Sequence, residues 1–273
     1  MITDPWISRG LDEIKNGHWF DGFQMLQGAI QRAFRYGKPD QAKVVISKAV
    51  PLFTSGNQKR LACELVLVLI MRTSQKVNER AYAELISESL VELTKASLDS
   101  CVQTICNRII IEKVFQRSEF LSQLQSLILE ANYPYEVISS LYYCYAGLLC
   151  YKKDYVLCFE TLYSWSKTLS VLSPKMRTYL TLAEINAYEI EDCGQYLKIE
   201  EPIESDDKIY LEIANRIFDA VQASDESEFH FIVTDYPDFI NPKKDGLLKA
   251  LCEGISEILH KKPSSGLFSL FKQ

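Results

Sequence analysis

"GHWFDGFQMLQGAIQRAFRYGK", residues 17–38, governs the reading of the rest of the chain. Trp19, Phe23, Leu26, Ile30 and Ala33 step by four, three, four and three, the spacing of one helix face. Phe20 and Phe34 widen the stripe. These aromatics are therefore first a packing surface, and a site at the helix start is the competing use. The next stretch, "KPDQAKVVISKAVPLFTSG" (38–56), places Ala42, Val45, Ala49 and Leu52 on one face, with Gly56 as its stop. Pro51 falls inside it and is expected to kink or shorten that helix, having no N–H to donate. Gly17, Gly37 and Gly56 lie 20 and 19 residues apart, so a helix pair repeats about every 39 residues, close to known helical-repeat periods.

The pattern continues along the chain. "RLACELVLVLIM" (60–71) is almost wholly apolar, and residues 79–97 carry Tyr82, Leu85, Ile86, Leu90 and Leu93 at helical spacing. "NRIIIEKVF" (107–115) has the β-branched character of a strand, but its neighbours favour a helix. "KKDYVLCFETLYSWSKTLSVL" (152–172) puts Tyr155, Phe159, Leu162, Trp165, Leu169 and Leu172 on one face. Ser173-Pro174 is a helix start, a capping hydroxyl before a proline at the first helical position. Amphipathic helices that cannot bury their stripes alone stack on one another. The expected fold is all-α, a TPR-like α-solenoid of helical hairpins running continuously over 1–260, with a short apolar tail at 261–273. "CGQYLKIEEPIESDDK" (193–208) is either a short β-hairpin arm or a loop. The tail, with Leu267, Phe268, Leu270 and Phe271, docks either on this chain or on a partner.

Composition narrows the function. A net charge of −6 argues against nucleic-acid binding, which needs a basic excess. Locally, Arg32, Arg35, Lys38, Lys43, Lys48, Lys59 and Arg60 face only Asp40 within residues 30–60. They form either a solvated helix surface or a basic face that steers an acidic protein partner. "MITDPWISRG" has neither the basic nor the apolar region of a signal peptide, so a cytoplasmic protein is expected, its eight cysteines reduced and structural. The longest uncharged run, "VISSLYYCYAGLLCY" (137–151), has 15 residues, short of the roughly 20 of a membrane span.

Signatures of chemistry are missing. His18, His230 and His260 are far apart in sequence and no CxxC occurs, so no metal site is expected. Phosphate-binding GxxxxGK[ST] and GxGxxG loops and a GxSxG elbow are likewise absent, and no cofactor is implied. The acids Glu200, Glu201, Glu204, Asp206 and Asp207 lack a second carboxylate one helical turn on, and read as a solvated loop. No enzymatic activity is expected.

In order and spacing, several stretches resemble a known family. Gly17-His18-Trp19-Phe20-Asp21-Gly22-Phe23-Gln24 is similar to a Gly-Asp-Tyr-Tyr-Glu-Ala-His-Gln-like helix start, and Arg32 matches the arginine of an Arg-Tyr-like helix end. "KAVPLFTSGNQKRLACEL" (48–65), "LLCYKKDYVLCFETLY" (148–163), "FDAVQASDESEFHFIVTDYPDFI" (218–240) and "LLKALCEGISEIL" (247–259) follow in the same order. The family is the cytosolic adaptor of the GET (guided entry of tail-anchored proteins) pathway, its fourth-numbered component. The resemblance implies a non-enzymatic scaffold. Its N-terminal half, about 1–130, would bind the tail-anchor targeting ATPase. Its C-terminal half, about 131–260, would bind a ubiquitin-like partner. By position, Trp19, Phe20, Asp21, Arg32, Lys59 and Glu64 become the ATPase contacts, with packing or capping the other role for Trp19 and Phe20. Two departures stand out: Gln27-Gly28 replaces an Arg-Thr pair, and the family's β-hairpin is shortened, "YLKIEEPIESDDKIYLEI" being its only candidate. A ubiquitin-like partner would then rely on the helices around 209–259. The alternative is a helical-repeat scaffold of another cytosolic complex, of proteasome-lid or vesicle-coat type.

Overall fold

One turn closes helix after helix. At Gly17, Gly37, Asn57, Ser97, Lys153 and Ser224 the backbone takes φ between +54° and +85°. In each case the amide of that residue donates to the carbonyl three back, and the next amide to the carbonyl five before it. For Gly17 and His18 the acceptors are Ile14 and Glu13, at 3.0 and 2.9 Å. This is the Schellman cap, which satisfies carbonyls that a helix end leaves orphaned. The first three left-handed residues are 20 apart, and Ser97 follows after another 40. The expected 19-residue interval to Gly56 came from taking the glycine as the turn. Gly56 itself has φ −82°, and Asn57, whose short polar side chain tolerates the left-handed region, makes the turn.

The computed structural model describes residues 5–73, 79–111, 118–130, 133–188, 190–197 and 208–261. They form α1 (Pro5–Lys15), α2 (Trp19–Arg35), α3 (Pro39–Ser55), α4 (Lys59–Thr73), α5 (Glu79–Lys95), α6 (Asp99–Ile111) and α7 (Ser118–Glu130). Then come α8 (Tyr135–Lys152), α9 (Tyr155–Ser166), α10 (Pro174–Ala187), α11 (Lys208–Gln222), α12 (Glu226–Asp235) and α13 (Gly246–Lys261). Short 3₁₀ turns occupy Ile190–Asp192 and Gln195–Leu197, and no strand occurs among the described residues. The fold is all-α, with the consecutive helix-on-helix packing of a helical-repeat solenoid. Most of the candidate hairpin arm, and residues 262–273 of the apolar tail, lie outside the described residues, as do the acids at 200–207. The chain divides into two compact units, Met1–Leu141 and Tyr142–Gln273.

In the first unit each helix packs on its successors. α1 lies on α2 and α3, α2 on α3 and α4, α3 on α4 and α5, and α5 on α6 and α7. Leu26, Ile30, Ala33 and Phe34 of α2 and Ala42, Val45 and Ala49 of α3 are buried as the spacing predicts, whereas Leu52 is only half-buried and Ile46, Val50 and Phe53 complete the core face of α3. Each large apolar side chain so removed from water contributes about 1.5–3 kcal/mol. Gly10 and Gly22 let α1 and α2 approach closely, since a Cβ on Gly22 would stand 2.7 Å from the Gly10 carbonyl oxygen. Phe20 departs from the expected stripe: it is 61 % exposed, because it lies in the first turn of α2, at the edge of the stack. Pro51 does not shorten its helix, which runs on to Ser55. Pro51 is exposed, as is Ser47 one turn before it, where water can take over the carbonyl that has lost its amide partner.

The second unit is organised around α10, which touches α9, α11 and α13, while α12 packs on α11 and α13. The predicted Ser173 cap forms, its hydroxyl accepting from the Met176 amide at 3.2 Å. Helix α9 stops at Ser166 rather than carrying its face to Leu172; the Ser166 and Thr168 hydroxyls donate to the carbonyls of Tyr163 and Trp165. Two buried carboxylates knit this unit. Asp245, at 1 % exposure, caps α13 by accepting from the Leu248 amide at 2.9 Å. It also accepts from the Tyr143 and Tyr179 hydroxyls at 3.0 and 2.6 Å and from Lys175 Nζ at 2.9 Å. Glu184 accepts from the Gly194 amide and the Gln195 side chain at 2.9 and 2.7 Å, fixing the second 3₁₀ turn. All eight cysteines are free thiols and seven are buried, the exception being half-buried Cys193. No described helix is long and apolar enough to cross a membrane.

Candidate functional site

The Schellman turns at Gly17 and Asn57 deliver the first turns of α2 and α4 to the same edge of the first unit. Between them opens a cleft of about 800 Å³ lined by His18, Trp19, Phe20, Asp21, Phe23, Gln58, Arg60, Leu61 and Glu64. The Trp19 indole packs against Gly56, where any side chain larger than hydrogen would strike its ring carbons. Phe20 and Phe23 stack with centroids 6.4 Å apart and planes 25° from parallel. His18 Nδ1 is 2.7 Å from Glu13 Oε2, which ties the turn before α2 to α1. The cleft thus offers aromatic surface flanked by two exposed carboxylates, Asp21 and Glu64, and one guanidinium, Arg60. Such a surface can recognise a polypeptide carrying an apolar anchor and mixed charges.

Four of the six residues assigned from sequence, Trp19, Phe20, Asp21 and Glu64, meet in this cleft. Lys59 is exposed beside it at the start of α4. Arg32 does not join them. It lies thirteen residues along α2 from Trp19, about 20 Å at 1.5 Å per residue. Its guanidinium covers the Trp6 ring of α1, 4.3 Å from the centroid. The expected basic face divides for the same reason. Arg32, Arg35 and Lys38 gather where α2 ends and α3 begins, Lys59 and Arg60 where α4 begins, and α3 spans about 25 Å between those ends. Lys43 is engaged by Glu88 of α5 at 3.0 Å.

No family model, curated protein or solved structure matches the chain.

Other features escaped the sequence reading. A groove of about 550 Å³ between α3 and α5 is lined by Val44, Ile46, Leu85 and Val91, with Tyr133 and Pro134 closing one end. Its rim carries the Lys43–Glu88 pair, and burial followed by the charge of Glu88 pushes the Tyr133 phenol above its ordinary range. The groove arises between helices distant in sequence, so only the packing could reveal it. The cluster around Asp245 has the residue types of an acid–base centre, but Asp245 and the Tyr143 hydroxyl accept from the Leu248 and Leu247 amides at the start of α13, and Tyr179 and Lys175 both donate to Asp245. Burial, then the neighbouring Asp245 charge, hold the Tyr179 phenol well above its usual range, so it keeps its proton at neutral pH. In the second unit, Glu226, His230 and His260 converge although thirty residues separate the histidines.

Proposed function

We propose that the chain is a cytoplasmic, non-enzymatic scaffold of the GET pathway. On this reading it binds the tail-anchor targeting ATPase and promotes hand-over of tail-anchored clients bound for the endoplasmic reticulum membrane. The observation that supports it is a convergence. Trp19, Phe20, Asp21 and Glu64 were assigned to ATPase contact by resemblance alone, and all four line one open cleft, with the Phe20 ring 61 % exposed. An exposed aromatic amid mixed charges has the make-up of a protein–protein hot spot. Within the cleft, Phe20 is the anchor and Asp21, Arg60 and Glu64 set register, while Trp19 serves by shaping the wall against Gly56. The ubiquitin-like partner falls to α11–α13, where Phe231 is 55 % exposed.

Light scattering coupled to gel filtration tests the reading. The chain would be mixed with the targeting ATPase, with and without ATP, beside Phe20→Ala and Glu64→Lys variants. Co-elution is expected, with Phe20→Ala weakening it about 30-fold, the loss of a hot spot worth about 2 kcal/mol. A chain that elutes alone in every condition refutes the assignment and turns the search to partners of another helical-repeat complex. Binding that survives Phe20→Ala and Glu64→Lys but fails in Arg32→Glu would move the contact to the opposite edge of the stack.

A further inference from the structure

Asp225 caps α12 by accepting from the Glu228 amide at 2.9 Å, which makes Glu226 the first residue of that helix. His230 follows one turn later on the same face, the i,i+4 spacing at which two helix-borne ligands can share an ion. From the last turn of α13, His260 comes to the same point. Its Nδ1 is 2.7 Å from Glu226 Oε1, and His230 Nε2 is 3.6 Å from the same oxygen. The two imidazole centroids are 6.0 Å apart. One donor atom from each residue lies within 4.8 Å of the other two.

We propose that Glu226, His230 and His260 form a three-ligand site for a divalent transition-metal ion of the zinc class, with a fourth position open to water. A tetrahedral ion with bonds of 2.0–2.1 Å holds neighbouring donors about 3.3–3.4 Å apart. The two separations to Glu226, 2.7 and 3.6 Å, bracket that value, and the third lies within 4.8 Å, so side-chain movements of about 1 Å complete the coordination. More than half of each histidine side chain is exposed, so the rings can turn without disturbing the core. Two imidazoles select zinc, nickel, cobalt or copper over magnesium or calcium, which take oxygen donors. The alternative occupant of this geometry is a proton, an ordinary histidine–carboxylate hydrogen bond. That bond accounts for His260, but His230 Nε2 at 3.6 Å stands beyond hydrogen-bonding distance of the same oxygen, a spacing that a shared cation between the donors would use. Bound there, the ion would tie the beginning of α12 to the end of α13.

Cobalt(II) titration of the full chain supplies an optical readout, and zinc competition reports the affinity. One saturable equivalent is expected, giving the absorption of a four-coordinate nitrogen and oxygen site with no sulfur-to-metal band. His230→Ala and His260→Ala should each weaken binding more than about tenfold, the double variant should abolish it, and Cys193→Ser should leave it unchanged. Circular dichroism checks that the exposed-site variants remain folded. Absence of a saturable equivalent overturns the proposal. So does an equivalent that persists in the double variant, or one that carries a thiolate band and disappears in Cys193→Ser.

Discussion

Asp245→Ala removes the acceptor at the centre of the second unit's polar core. Four donors lose their partner at once: the Leu248 amide, the Tyr143 and Tyr179 hydroxyls, and Lys175 Nζ. The lost helix cap costs about 1 kcal/mol. Each phenol left buried without its carboxylate costs about 1 kcal/mol more. Lys175 still shows 32 % of its side chain to solvent, so its uncompensated charge adds only about 1–2 kcal/mol rather than the larger penalty of a fully enclosed ion. The expected loss is about 4 kcal/mol, against the 5–15 kcal/mol that holds a typical domain together. Urea unfolding followed by circular dichroism measures it. Asp245→Asn, which keeps one acceptor oxygen, should lose about half as much. Tyr179→Phe should cost about 1 kcal/mol in the natural chain and almost nothing once Asp245 is alanine, because its partner has already gone. A loss under about 1.5 kcal/mol with unchanged denaturant dependence would refute the reasoning, since the four donors would then be finding water. Equal costs for Tyr179→Phe in both backgrounds would show that the hydroxyl does not act through this carboxylate.

Three further outcomes follow from other parts of the molecule. Ser97→Gly and Ser224→Gly should each raise stability by about 1 kcal/mol in urea titrations, because both serines hold φ +54° where glycine carries no Cβ penalty; a loss would refute the cap geometry. Gly56→Ala, at an ordinary φ, should cost about 1–3 kcal/mol by displacing the Trp19 ring and should shift its fluorescence, and an unchanged spectrum would contradict that contact. Burial pushes the Cys252 thiol, and burial followed by Glu253 pushes the Tyr151 phenol, each up to about 12. The fold therefore holds protons that the unfolded chain releases from about pH 9 for thiols and pH 10 for phenols. The contribution of these groups to stability should be constant well below pH 9 and be lost progressively towards pH 12, and a flat alkaline limb would refute their burial.

How far the sequence revealed these features depends on whether the deciding contact is local. The stripe Leu26–Ile30–Ala33 and the Ser173-Pro174 cap lie within one or two helical turns, and the structure holds them as read. Phe20 was misplaced because periodicity ranks residues by face but says nothing about position along the axis, and at a helix start an in-face aromatic can still point past its neighbour. The basic run from Arg32 to Arg60 looked continuous because sequence distance ignores the reversal at each turn. Asn57 passed unnoticed beside Gly56, since glycine is the usual sign of a left-handed turn but not a requirement for one. The Asp245 core and the Glu226–His230–His260 cluster join residues from separate helices, and no window along the chain contains them.

The recurring left-handed cap has one more effect. With turns at 17, 37 and 57, and again at 97, the first unit is laid out on a ruler whose graduation is one helix and whose full period is two. Deleting a single 20-residue graduation would invert the parity of every helix beyond it, sending α4 out from the edge that now receives its end. Deleting 40 would leave the polarity of the survivors intact. Shortened or lengthened descendants of this chain should therefore differ by pairs of helices, and the edge that carries the cleft of α2 and α4 would stay a single edge throughout such changes.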